Sequence, residues 1–318
     1  MKINKILLIV SVAVLPFFRA FSQENIENYL PSETTIEKDT VPVYATFKST
    51  RIINAKSNET VHKGELDFII SHRFGDAGGQ YGGFETFYGT DNASDIKIAF
   101  DYGLTDRLSV GISRTKGATS IRQLLETNIK YKLLEQTERN RRPFGITLFG
   151  NAVVSTMSSN INTLVPDHFD TFSDRWSFVT QAIITRKFNS NFSLALLPTY
   201  THYNRVIYGD SNNIFAMGIG TRYKVSKRMA LIADYFYTFD SNNRKEYFER
   251  NGLPFYNPLA IGLEIETGGH VFQFTFMNST ALLENQFIPY TTTSWEKGQF
   301  RWGFSISRPF SFNKKKNK

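Results

Sequence analysis

Residues 259–277 read LAIGLEIETGGHVFQFTFM and form the stretch that decides the fold. Apolar and polar side chains alternate along both arms: Ile261 and Leu263 share one face of the first arm, as Phe272 and Phe274 do in the second. The Gly-Gly pair between the arms allows the positive φ angles of a tight hairpin turn. This alternation predicts a β-hairpin with one apolar face and one polar face.

Segments with the same alternation recur along most of the chain and predict about twelve strands, an even number as in bacterial membrane barrels. Each strand is long enough to cross a bilayer when tilted. A soluble β-sandwich or lipocalin-like barrel is the alternative, but its strands are usually shorter and bury their apolar face. The predicted strands cover residues 65–74, 95–102, 107–114, 121–133, 144–156, 175–188, 192–204, 213–225, 228–240, 259–266, 270–276 and 300–310.

The connections between these strands alternate in length. Short periplasmic turns and longer outer loops are typical of outer-membrane barrels. The sequence therefore predicts an all-β, transmembrane, antiparallel up-and-down barrel with both termini in the periplasm. The mostly short connections begin at residues 103, 135, 189, 226 and 267, the mostly longer ones begin at 75, 157, 205, 241 and 279, and the connection at 115–120 is a short exception.

Two stretches depart from the regular pattern. Pro198 lies inside the predicted strand 192–204, where we expect a β-bulge because proline cannot donate a ladder hydrogen bond. Residues 46–54 are extended in propensity but do not alternate cleanly. They form either a short extra strand or a segment that tucks into the mouth of the barrel.

The two ends of the chain differ in composition from the barrel. Residues 1–22 have a basic start, an apolar run and a small-x-small site, as in a secretory signal peptide. Residues 23–45 are polar and acidic, and we expect a flexible periplasmic lead. The predicted barrel covers residues 46–312, and residues 313–318 form a basic tail. The predicted location is the bacterial outer membrane.

Composition and motifs argue against several classes of function. Much of the net charge of +8 comes from the signal peptide and the basic tail, so the near-neutral body gives no support for a nucleic-acid partner. The chain has no Cys, and its five His residues lack the spacing of a metal site. No Gly-x-Ser-x-Gly motif is present. We therefore expect no metal, no cofactor and no catalytic residue.

The polar faces of the strands are predicted to point into the lumen, and they carry both signs of charge. Charged rings in a lumen select ions. Mutually satisfying salt bridges that close a narrow lumen are the alternative. Asp234 belongs to the same inward set. The candidate pore-lining residues are Glu65, Asp67, Arg73, Asp95, Lys97, Asp101, Arg107, Arg122, Glu126, Lys130, Lys132, Glu264, Glu266 and Arg301.

Several short stretches resemble an uncharacterised outer-membrane β-barrel family of Bacteroidota. They include HRFG at 72–75, FDYG at 100–103, DRL at 106–108 and ETGGHVFQ at 266–273. The similarity covers roughly residues 45–310. Because this is a domain of unknown function, the resemblance implies fold and location but no mechanism and no site residue.

Three functional hypotheses follow. The leading one is a narrow channel or small-solute transporter, because the predicted lumen is polar. The second is a non-transporting scaffold or binding barrel with an unidentified periplasmic or envelope partner. The third is a membrane-embedded lipid hydrolase that uses a Ser and a His. In each case we expect outer-membrane lipid around the barrel. We also expect the barrel assembly machinery to act during biogenesis, because the last predicted strand resembles the aromatic C-terminal strand that this machinery recognises.

Overall fold

The structure, a computed structural model, describes residues 41–312. The predicted signal peptide at 1–22, residues 23–40 of the predicted lead and the basic tail at 313–318 lie outside the described residues. No helix within the described part is both long and apolar enough to cross a membrane.

Within residues 41–312, twelve antiparallel strands close into one barrel. Each strand pairs with its neighbour in the chain, and β1 pairs with β12 to close the sheet. The predicted fold is confirmed, and the predicted strand bounds differ from the observed ones by only a few residues. The strands are β1 (Glu65–Phe74), β2 (Ala93–Thr105), β3 (Leu108–Thr115), β4 (Leu124–Leu134), β5 (Gly145–Ser155), β6 (Trp176–Lys187), β7 (Phe192–Tyr203), β8 (Asn213–Lys224), β9 (Met229–Phe239), β10 (Leu259–Glu266), β11 (Val271–Met277) and β12 (Arg301–Ser311).

The two faces of the barrel wall are reversed relative to a soluble protein. Charged side chains such as Asp67 and Arg73 on β1 point inward and are 5% and 2% exposed. Apolar side chains such as Leu133 and Phe274 point outward and are 52% and 44% exposed. An outward apolar belt around a polar interior is the arrangement that a lipid environment requires.

Connections at the two ends of the barrel differ, and we name the ends accordingly. The short-turn end carries the β2–β3, β6–β7, β8–β9 and β10–β11 turns, and the chain enters β1 and leaves β12 there. The long-loop end carries the loops after β1, β5, β9 and β11, with two α-helices: α1 (Asn242–Arg250) and α2 (Glu284–Phe287). Phe74 and Trp302 stack at 3.9 Å between ring centroids on the outer surface near this end, as expected of an aromatic girdle.

The bulge expected at Pro198 is absent. The pairs Gln181–Thr199 and Ile184–Leu196 keep one register on both sides of it, and Pro198 remains opposite Met217 in β8. The strand therefore tolerates the missing donor through a gap in the β6–β7 ladder, without an inserted residue.

The inside of the barrel is filled by two chain segments. Residues 46–60, which we call the plug, enter from the short-turn end, so residues 46–54 tuck into the barrel and do not extend the sheet. Residues 278–300, which we call the inward loop, fold in from the long-loop end and carry α2. Phe47 and Ile52 of the plug share one buried apolar cluster with Phe236 of the wall and Phe287 of the inward loop.

Candidate functional site: the closed lumen

The plug is a tight hairpin whose tip reaches the middle of the barrel. Its own hydrogen bonds run from Ile52 N to Ala55 O (2.8 Å) and from Ser57 N to Thr50 O (3.1 Å). The remaining polar groups of its main chain need partners, because a buried, unpaired amide is costly. Side chains of the plug satisfy some of these groups, as Glu59 Oε1 does for Phe47 N (3.1 Å), and charged and polar side chains of the wall satisfy others.

Asp234 on β9 holds the tip of the plug. Its carboxylate accepts hydrogen bonds from three consecutive main-chain N–H groups, those of Ile53 (3.1 Å), Asn54 (2.7 Å) and Ala55 (2.8 Å). The Asn54 side-chain amide donates a fourth hydrogen bond at 3.0 Å. Asp234 is 2% exposed, so the hydrogen bonds to its carboxylate come from the plug and not from solvent.

Two side chains bind carbonyl groups of the plug. The ammonium of Lys130 on β4 donates to the carbonyls of Thr50 (2.9 Å), Ser57 (3.1 Å) and Glu59 (3.0 Å). The side-chain amide of Gln273 on β11 donates to the carbonyl of Ile52 at 2.8 Å. All three donors of the ammonium are therefore used on the plug.

The plug and the inward loop are joined in the middle of the lumen. Lys56 of the plug forms a buried ion pair with Glu284 of α2 at 3.4 Å. Arg73 of β1 donates to the side-chain oxygen of Asn54 on one side and to Ser279 Oγ (3.0 Å) and the Ala281 carbonyl on the other. One wall guanidinium therefore contacts both segments that close the barrel.

A second charge network lies within the wall itself. Glu126 on β4 forms an ion pair with Lys97 on β2 and accepts hydrogen bonds from Ser113 (2.6 Å) and Asn151 (2.9 Å). Asp95 on β2 instead accepts main-chain hydrogen bonds from the loops at Gly117 (2.8 Å) and Leu282 (3.0 Å). These inward charges are therefore hydrogen-bonded to wall or loop groups.

The inward loop is also anchored at the long-loop end, outside the strands. Arg244 of α1 contacts Asp210 at 2.5 Å, pairs with Asp240 and donates to the carbonyl of Pro289 at 3.3 Å. Burial lowers the pKa of Arg244, but the two carboxylates outweigh it and raise that pKa above its ordinary value. Burial, together with Asp210, raises the pKa of Tyr290 well above its ordinary value, so its hydroxyl stays protonated and donates to Asp210 at 2.9 Å.

Below the plug, the short-turn end opens into a vestibule of about 630 Å³. Plug residues, the β10–β11 turn and the carboxylates of Glu65 and Asp67 line it. Lys132, on the same wall, lies 3.8 Å from Glu59 and 3.7 Å from Glu135. Residues 41–45 lie against this end, since Pro42 bridges Thr137. The vestibule leads to the plug.

The structure gives each sequence-predicted pore residue a position. Glu65, Lys132 and Glu266 lie toward the short-turn end, and Asp101 accepts a hydrogen bond from Asn128 at 3.2 Å inside the wall. Arg107 and Arg122 lie outside the lumen, because β3 and β4 begin after them and leave both side chains exposed. The members buried in the interior are Asp67, Arg73, Asp95, Lys97, Glu126, Lys130, Glu264 and Arg301.

The sequence places Gln273 on the polar face of its hairpin, but it did not place Lys56, Arg222 and Glu284 among the interior polar groups. Arg222 on β8 pairs with Glu264 at 2.8 Å and with Glu266 at 2.7 Å. Inward parity on its strand could have identified Arg222. No periodic signal could have identified Lys56 or Glu284, because both lie on segments outside the strand pattern.

The described residues give no support for a hydrolytic or metal site. His62 lies 3.7 Å from Asp106, His168 lies 2.9 Å from Asp170, and His202 contacts Asn213. His72 and His270 lie against phenylalanine rings. Across residues 41–312 no His is hydrogen-bonded to a Ser hydroxyl, and no group of His and acidic residues could hold a metal ion.

Residues 47–310 match a protein family described as "Membrane bound beta barrel domain (DUF5777)". No curated protein matches the chain. Solved structures with a similar fold include the COG4313 outer membrane channel from Pseudomonas putida F1, with 12% identity, a TM-score of 0.46 and coverage of 80% of this chain and 98% of that one. The NanC porin has 8% identity, a TM-score of 0.44 and coverage of 76% and 98%. An active-site mutant of outer membrane phospholipase A from Escherichia coli has 13% identity, a TM-score of 0.42 and coverage of 78% and 91%.

Proposed function

Since the chain belongs to this family of membrane-bound β-barrel domains, we propose that it is a gated, narrow outer-membrane channel for small polar solutes, in its closed state. In this proposal a signal peptide is removed, both termini and the short-turn end face the periplasm, and the long-loop end faces outward. We also propose that the protein comes from a member of the Bacteroidota, as the resemblance implies. The interior residues become pore-lining when the lumen opens.

One observation carries the proposal: the closing segments are not part of the wall. The ladder hydrogen bonds run from strand to strand around the barrel and close between β1 and β12. The plug is held by side chains such as Asp234 and Lys130, together with apolar contacts of Phe47 and Ile52. Removal of the plug therefore leaves every strand pair intact. It exposes a polar, two-signed lumen as far as the inward loop, which must also shift before solutes can pass.

A second candidate is a non-transporting envelope barrel that presents its loops to a partner. The buried apolar cluster favours it, because Phe47, Ile52, Phe236 and Phe287 give the interior a packed core. In this case the lumen would stay closed at all times, and the loops at the long-loop end would carry the function.

Planar-bilayer recordings separate the two candidates. The test variant is F47S/I52S, which removes two apolar anchors of the plug and changes no wall residue; both side chains are at most 2% exposed. A channel should show rare openings in the native protein and frequent openings in the variant. The matched control is L164S, because Leu164 lies in the β5–β6 loop and is 79% exposed.

A folded membrane barrel migrates differently on gels before and after heating. If the variant keeps this difference, its barrel is still closed on itself. If a folded F47S/I52S protein conducts no better than the native protein, the channel proposal is wrong. Co-purification of another envelope protein through the long-loop end would then support the second candidate.

A further inference from the structure

We propose that the open lumen binds short peptides through their main chain, and that the plug occupies this same site as an internal ligand. The inference rests on the proposed function, since the lumen must open to admit a solute. It assigns the class of solute from the groups that the plug now satisfies.

The first half of the site recognises peptide N–H groups. Asp234 accepts three successive main-chain hydrogen bonds, from Ile53, Asn54 and Ala55, at 2.7 to 3.1 Å. Three successive amides on one carboxylate match a tight turn of polypeptide, which presents consecutive N–H donors toward one point.

The second half recognises peptide carbonyls. Lys130 donates to three plug carbonyls at 2.9 to 3.1 Å, and Gln273 donates to a fourth at 2.8 Å. Thr147 on β5 donates to the carbonyl of Asn58 at 3.3 Å. Donors and acceptors thus project from β4, β5, β9 and β11 around one turn of polypeptide.

These contacts do not depend on the side chains of the plug. Side-chain contacts add to them, through Asn54 and Lys48 and through the buried apolar side chains of Phe47 and Ile52. Main-chain contacts fit any sequence that can form the same turn. The site is therefore expected to select peptides as a class and to tolerate variation in sequence.

The inward loop differs from the plug in degree. Its helix α2 satisfies part of its own main chain, as from Phe287 N to Leu283 O (2.9 Å) and from Ile288 N to Glu284 O (3.3 Å). Wall groups meet the rest at scattered points, such as Asp95 at the Leu282 N–H (3.0 Å). On the plug, by contrast, Asp234 and Lys130 each meet three main-chain groups, which is the arrangement that a peptide-binding lumen would present to a mimic of its ligand.

A labelled peptide with the sequence of residues 50–57, TRIINAKS, tests the inference by fluorescence anisotropy on the F47S/I52S protein. We expect saturable binding. The matched control peptide is N-methylated at the positions of Ile53, Asn54 and Ala55, which removes the three donors and keeps the side chains. Its affinity should fall by at least about tenfold. A peptide of scrambled sequence should keep most of the affinity, and an oligosaccharide of similar mass should not compete.

Wall variants D234N and K130M, each combined with F47S/I52S, should weaken binding of the unmodified peptide by at least about tenfold. Equal binding of the N-methylated and unmodified peptides, or no binding at all, would overturn the inference. Conductance is recorded separately. A variant that conducts but binds no peptide would support the channel proposal and rule out the peptide site.

A second measurement keeps both apolar anchors of the plug and therefore does not depend on the double variant. The chain has no Cys, so S57C provides a unique thiol at a position that is 0% exposed. Excess TRIINAKS peptide should compete with the plug and accelerate maleimide labelling of this thiol. Labelling that is unchanged by the peptide but accelerated by F47S/I52S would argue against a shared site.

Discussion

The plug and the inward loop close the same lumen from opposite ends, yet they are held in different ways. The plug has two main-chain hydrogen bonds of its own, and single wall groups such as Asp234 and Lys130 each serve three of its main-chain atoms. The inward loop contains a helical turn and is anchored by wall groups such as Asp95 and, outside the strands, by Arg244.

This difference indicates which closure is easier to release. Loss of one wall charge leaves several plug groups unpaired at once, whereas the inward loop keeps its internal hydrogen bonds when any one contact is lost. The plug is thus the segment expected to move first, and the inward loop the segment that follows. Three predictions test that contrast.

The largest effect is expected from D234N. The three main-chain hydrogen bonds all end on Oδ2, so the one amide oxygen can still accept them, but each is weaker without the charge, and the amide N–H groups face the Asn54 side chain in place of Oδ1. We expect the tip to lose about 3 kcal/mol of local stability. Maleimide labelling of S57C should accelerate strongly, and channel openings should become frequent.

The control for this variant is D101N, because Asp101 also faces the interior but accepts its hydrogen bond from Asn128 of the wall. Labelling at S57C should remain slow in D101N. Equal labelling rates in D234N and D101N would mean that Asp234 does not hold the plug.

An intermediate effect is expected from E284Q, which removes the charge that joins the inward loop to Lys56. The glutamine oxygen can still accept a hydrogen bond, so we expect a loss of about 2 kcal/mol and not the full cost of an unpaired buried ammonium. Labelling at S57C should accelerate moderately, because the plug loses its contact with the loop.

A double-mutant cycle with K56M tests whether this pair couples the two closures. The double variant K56M/E284Q should label more slowly than E284Q alone, because it leaves no unpaired ammonium. Strictly additive effects would show that Lys56 and Glu284 do not couple the plug to the inward loop.

The smallest effect is expected from the titration of His168 in the β5–β6 loop. Hydrogen bonds to the Asn160 carbonyl (2.6 Å) and to Asp170 (2.9 Å) raise its pKa above the ordinary value of 6.5. A raised pKa means that this local stabilisation is fully present below 6.5 and is lost as the pH rises through the raised value.

Hydrogen exchange of residues 157–170 should therefore differ between the native protein and H168Q at low pH and converge at high pH. Plug labelling should not respond at either pH, because His168 contacts neither closure. A pH-dependent change in S57C labelling that H168Q abolishes would instead connect this loop to the plug.

The barrel wall could be predicted from the sequence in detail. The hairpin at 259–277 pairs as expected, with Leu263 opposite Phe274 and Glu264 opposite Gln273. A strand that faces lipid on one side must alternate apolar and polar side chains, so each strand can be recognised from its own residues. Pro198 is the exception, because the surrounding register absorbs the missing donor and no bulge forms.

The filling of the lumen was predictable only in part. The inward faces of β7 and β8 carry several small residues, such as Ala195, Gly218 and Gly220. A Cβ atom on Gly220 would lie 2.3 Å from Ile52 Cδ1, so this glycine leaves space for the plug. Small inward residues are thus a sequence signal that something occupies the lumen, but they do not identify the occupant.

By itself the sequence determined the strand pattern, the lipid-facing side of each strand and the inward direction of most charges, because these depend on neighbours along one strand. Only the tertiary structure decided that Asp234 meets the amides of residues 53–55 and that Lys56 meets Glu284. Such contacts join segments far apart in the chain, and they arise from where the plug and the loop come to lie inside the closed barrel. The hairpin at 259–277 shows both contributions. Its Phe272 and Phe274 follow the local pattern, whereas the bond from its Gln273 to a plug carbonyl is predicted by no sequence pattern.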